Sequence, residues 1–80
     1  MPSYLLTHHH PPRDCVAVFA AWHGFESPLR GRPTMSSCLA GGHGLWWTVE
    51  APSAEQALAL LPPFVAARSD AAEVSEVPIP

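Results

Sequence analysis

The chain has no lysine; Arg13, Arg30, Arg32 and Arg68 are its only permanent side-chain cations, set against seven acidic residues for a net charge of −3. Without a basic stripe to neutralise phosphates, nucleic acid is not an expected partner. No apolar run approaches the roughly 18 residues of a membrane span, and the first residues lack the charged and hydrophobic regions of a secretory leader. No membrane association is expected, and the cytoplasm is the expected compartment. Cysteine is scarce, with Cys15 and Cys38 alone; in that compartment they are expected as free thiols, buried or ligating, rather than as a lasting disulfide. CxxC and HxxxH spacings are both missing, and so is any complete catalytic motif. The nearest approach to a nucleophile and base, Cys38 with His43, has neither an orienting third group nor an oxyanion device.

What remains is apolar and heavily punctuated. Hydrophobic residues make up 48% of the chain, with three tryptophans and ten prolines, which is too apolar for disorder. Eighty residues make one domain, 1–80, that buries only about 60% of its unfolded surface, so self-association is expected.

Tyr4-Leu5-Leu6-Thr7 begins a strand at about 3–9 that Pro11-Pro12 stops. Period-2 alternation puts Tyr4, Leu6, His8 and His10 on one face and Leu5, Thr7 and His9 on the other. Pro11-Pro12-Arg13-Asp14 opens a helix to about Trp22 or His23, ended by Gly24, with Cys15, Phe19 and Trp22 as its apolar stripe. In that reading Cys15 is a core residue and His23 a helix-terminal one. An irregular connection follows to Pro33. The segment 34–39 and the segment 45–50 form a hairpin around Gly41-Gly42-His43-Gly44, whose glycines suit positive φ. Leu45, Trp47 and Val49 face the helices, and Trp46, Thr48 and Glu50 the opposite side. Ser53-Ala54-Glu55-Gln56 is a capping box for a second helix, broken at Pro62-Pro63 and followed by another turn or two. A last strand is expected at about 73–78.

The order β-α-β-β-α-β is that of a ferredoxin-like α+β fold: a four-stranded antiparallel sheet, strands one and three central, both helices on one face. The other face carries Trp46 uncovered, and two such faces together would make a homodimeric α/β barrel. Tyr4-Leu5-Leu6, the aromatic hairpin strand, Glu50-Ala51-Pro52-Ser53-Ala54-Glu55 and the closing Glu73-Val74-Ser75-Glu76-Val77 give the chain a resemblance to small stand-alone ferredoxin-like proteins that form dimeric α/β barrels. That group includes small nickel-binding proteins, so the resemblance implies a dimer and admits nickel chemistry.

In this topology the end of strand one lies beside the start of strand three. His8 and His10 therefore approach His43, and Cys38 comes to the same rim, a set of imidazoles and a thiolate suited to nickel, copper or zinc. The competing expectation is a barrel enzyme or carrier without a metal, whose cavity, lined by His9 and Trp46, takes a small organic molecule.

Overall fold

The computed structural model describes all 80 residues. Strand β1 (Ser3–His9) and strand β3 (Gly44–Glu50) pair antiparallel along their whole length, from Ser3 opposite Glu50 to His9 opposite Gly44. Strand β4 (Ser69–Val74) lies antiparallel on the other side of β1, and the two-residue β2 (Met35–Ser36) on the outer side of β3. The sheet is four-stranded and open, ordered β2-β3-β1-β4, with the two long strands central as expected. Element order and sheet are compatible with a ferredoxin-like fold.

Alternation sets the two faces. Tyr4, Leu6 and His8 of β1 and Leu45, Trp47 and Val49 of β3 are buried under the helices, and their alternates, Gly44 apart, are half-buried or exposed. The core adds Val18, Ala51, Ala57, Leu61 and Val65 from the covering segments. The N-cap half of the box is formed: Ser53 Oγ accepts from the Gln56 amide at 3.2 Å and starts α2 (Ala54–Leu58). The proline pair then interrupts, and Pro63 opens α3 (Pro63–Ala66) at the first-turn position where its missing N–H costs nothing.

Three boundaries differ from the sequence reading. The first helix is a 3-10 turn (Pro12–Asp14) running into a short α1 (Cys15–Ala20), with turns on to Gly24, whose φ of +74° closes them. Its inner residue is Val18, fully buried, while Phe19 and Val16 are exposed. The stripe thus runs Cys15, Val18, Trp22, because 3-then-4 spacing and 4-then-3 spacing fit a helix equally well and the small branched side chain seats against the sheet. The second strand stops after Ser36. Ser36 Oγ accepts from the Cys38 amide at 3.1 Å and Ser37 Oγ from the Gly44 amide at 2.9 Å, so side-chain hydroxyls take donors that a longer ladder would have used. The last strand begins at Ser69 rather than 73 and ends at Val74, pairing directly after the turn at Arg68; its Ala71-Ala72 centre lacks the β-branched signal that marks strands.

Candidate metal centre

The segment between β2 and β3 is a closed loop built on Ser37. Its amide donates to Gly44 O at 2.9 Å and its carbonyl accepts from Gly42 N at 2.8 Å. A Cβ on Gly42 would come within 2.5 Å of Ser37 Oγ, so only glycine fits there. A 3-10 turn (Cys38–Ala40) follows Ser37, ended by Gly41 at φ +87°. His43 itself takes the left-handed conformation, φ +52°, expected of the glycines beside it, of which only Gly41 has positive φ. Such a conformation in a residue with a Cβ is mildly strained. It aims the imidazole inward, under the sheet, where the other donors are.

Those donors come from two short segments. His10 follows β1, and its amide donates to His43 O at 3.2 Å, extending the β1–β3 ladder by one bond and fixing the two histidines to each other. Cys15 opens α1. His43 Nδ1 lies 3.1 Å from Cys15 Sγ, and His10 Nε2 lies 3.4 Å from Cys15 Sγ and 3.8 Å from Cys38 Sγ. The ligand atoms of His10, Cys15, Cys38 and His43 all fall within 4.8 Å of one another, with His10 buried and the other three half-buried. Both thiols are free. Four-coordinate zinc, with bonds of ~2.3 Å to sulfur and ~2.0–2.1 Å to nitrogen, sets neighbouring N and S ligands about 3.5 Å apart. The three observed N–S separations bracket that value.

Behind His10 stands His8, fully buried. Its Nε2 is 3.0 Å from His10 Nδ1, while its Nδ1 is 3.2 Å from Val65 O and 3.0 Å from Ser69 Oγ, which itself donates to Val65 O at 2.7 Å. A carbonyl can only accept, so in the neutral ring His8 Nδ1 carries the hydrogen and His8 Nε2 is an acceptor. His10 Nδ1 must then donate, which leaves the lone pair of His10 on Nε2, the atom that faces the two thiols. Hydrogen-bonding logic alone thus assigns His10 the tautomer of a metal ligand, with the His8 imidazole as acceptor in the place where a carboxylate, carbonyl or water usually fixes a ligating histidine.

Electrostatics agree. Burial pushes the pKa of His8 below its ordinary value, and that of His10 also, with His43 adding to the effect on His10. Both imidazoles are held neutral, the form that ligates. Burial, with Cys38 alongside, pushes the Cys15 thiol up. Without a cation this pocket resists thiolate; a dication would supply the missing charge.

Of the residues expected at the rim, the structure brings His10, Cys38 and His43 together and sets His8 one hydrogen bond behind them. It adds Cys15. The overlooked signal is a spacing: four residues separate His10 from Cys15 and four separate Cys38 from His43, an H-x4-C followed by a C-x4-H. His9 is exposed on the opposite face, its ring edge-on to Trp46 at 6.1 Å. Trp46 borders a depression of about 340 Å³ with Leu5, Met35 and Thr48, which His9 does not line. His23 sits exposed in the turn after α1. No protein-family model, curated protein or solved structure matches this chain. No helix is long and apolar enough to cross a membrane.

Proposed function

We propose that this is a small zinc-binding protein in which His10, Cys15, Cys38 and His43 hold one ion per chain. The observation that carries the reading is the convergence of two imidazoles and two thiols within 4.8 Å. A donor set of two nitrogens and two sulfurs, with three N–S separations of 3.1, 3.4 and 3.8 Å, suits Zn²⁺, whereas Cu²⁺ and Ni²⁺ favour square-planar or tetragonal sites. Four protein donors leave no open position for a substrate or an activated water, so the reading is a closed, structural site rather than a hydrolytic one.

The role follows from position. The cluster joins the end of β1, the start of α1 and the loop before β3, where the turns Pro12–Asp14 and Cys38–Ala40 bury no residue and α1 buries only Val18. A domain with a ten-residue core gains most from such a staple. Protein purified without an affinity tag should contain about one equivalent of zinc. Its removal by a chelator should lower the melting temperature by more than about 10 °C, since ion at 1,000 times its Kd stabilises by about 4 kcal/mol and each kcal/mol moves a domain of this size by about 4–8 °C. Identical melting with and without zinc would overturn the structural role.

Trp46 supports a second feature of the reading, a homodimer through the outer face of the sheet. That face carries Leu5, Trp46 and Met35 with no helix over it. Light scattering should give twice the chain mass for the native protein and the chain mass for Trp46→Asp; a native monomer at about 100 μM would sink the idea.

A further inference from the structure

A second cleft lies on the inner face, between α1, the connection at 25–34 and strands β2 and β3. It has a volume of about 350 Å³, within the usual range of small-molecule sites. Its floor is aromatic. Trp47 and Trp22 meet at 5.9 Å with their rings tilted by 46°, Trp22 is braced edge-on by Phe25 at 6.3 Å, and Phe19 of α1 stands exposed at the wall.

Its rim is cationic. Arg30 and Arg32, half of the chain's arginines, both line it, and none of its ten lining residues is acidic. The two are spaced around Gly31, whose φ of +75° folds the chain back between them. The connection is anchored: Ser27 Oγ donates to Leu60 O at 2.7 Å, and the Leu29 and Arg30 amides return to Ser27 Oγ and O at 3.2 Å each. Arg30 makes one long contact, Nη1 to Phe25 O at 3.4 Å. By contrast Arg68 is engaged, lying 3.8 Å over the Phe64 ring and donating to Phe64 O at 2.9 Å. In a chain with net charge −3, two exposed guanidiniums bordering an aromatic cleft that no carboxylate lines are placed for an anion from outside.

We propose that this cleft binds a small organic anion with an aromatic body, an aryl carboxylate in chemical class. Its ring would lie against Trp22, Trp47 and Phe19, and its carboxylate would take charge-assisted hydrogen bonds from Arg30 and Arg32. The proposal uses none of the metal ligands and holds whether or not the zinc reading does.

The test uses three probes: phenylacetate, its neutral analogue phenylacetamide, and inorganic phosphate. Each is titrated into full-length protein while the indole N–H resonances of Trp22, Trp46 and Trp47 are followed by NMR. Phenylacetate should shift Trp22 and Trp47 saturably and leave Trp46 in place; Trp46 is an internal control because Arg32 also borders the depression beside it. The Arg30→Ala/Arg32→Ala variant, altered only at exposed positions, should keep the native spectrum and bind phenylacetate at least about tenfold more weakly, the loss expected for hydrogen bonds to a charged group. Phenylacetamide should bind the native protein about as weakly as phenylacetate binds the variant. Equal affinity for the acid and the amide, phosphate shifts as large as those of phenylacetate, a saturable shift confined to Trp46, or no saturable shift with any probe would each overturn the proposal.

Discussion

The two faces of the sheet treat one run of three histidines in opposite ways. His8 and His10 project under the helices and are 0% and 6% exposed, and every ring nitrogen of theirs has a partner. His9, between them, stands in solvent beside Trp46. The amino acid is the same; the pleat decides its chemistry. On the inner face, burial holds the imidazoles neutral and a carbonyl at one end of the chain of hydrogen bonds fixes where every lone pair points. On the outer face nothing orders the ring beyond an edge-on indole. A histidine run in a sequence is therefore not one site but a site and its opposite.

Substitution should divide the two faces sharply. Replacing a donor, as in Cys15→Ser, should weaken Zn²⁺ binding by more than about a hundredfold, beyond the range for residues that only support ligands, as read by competition with a chromophoric chelator. His8→Ala removes the acceptor for His10 Nδ1 and should weaken binding about 10- to 100-fold. His8→Gln, whose amide oxygen can accept the same hydrogen, should recover part of the loss, which a merely space-filling role for His8 would not produce. His9→Ala should change affinity less than about twofold, because an exposed residue on the far face contributes nothing to the ligand set. Comparable losses for His8→Ala and His9→Ala would erase the distinction between the faces.

Acid and base should expose the same contrast in metal-free protein, with smaller effects. His8 and His10 hold protons less readily when folded than at their ordinary pKa of 6.5. Between the lowered values and 6.5 the unfolded chain binds more protons, so stability is fully present above about 6.5 and declines as pH falls below it. The Cys15 thiol keeps its proton above its ordinary value of 9.0. There the unfolded chain loses its proton first, so stability declines again as pH rises past about 9. Urea midpoints across pH should form a plateau between these limits, and His9→Ala should leave the acid limb where it is. A midpoint that stays level down to pH 5 would contradict the burial argument.

Much of the scaffold was legible because its signals are local. Alternation fixed β1 and its faces, the Trp46-Trp47 pair fixed the faces of β3, and Ser53 with Gln56 fixed the start of α2. The errors arose where side chains compete with the backbone or where two periodicities agree. Ser36 and Ser37 capture amides and end β2 early. Ala71-Ala72 pairs with β1 without the residues that mark a strand. Reading Cys15-Phe19-Trp22 as the helix stripe placed Cys15 in the core, when the buried residue is Val18 and Cys15 sits at the helix start facing His10 and His43. The rim was legible in outline through His10, His43 and Cys38. The exchange of roles between His8 and Cys15 depends on where a 3-10 turn hands over to a helix; the matched H-x4-C and C-x4-H spacings mark Cys15 as a partner of His10, but periodicity alone set it in the helix stripe.

The zinc reading rests on which atoms hold the ion, and X-ray absorption at the zinc edge measures that directly. Protein expressed without a tag and purified without a metal column should give a shell of two sulfurs at ~2.3 Å and two nitrogens at ~2.0–2.1 Å, at one ion per chain. Cys15→Ser should lose one sulfur from that shell. A shell of nitrogen and oxygen alone would assign the metal to exposed histidines such as His9 and contradict the account.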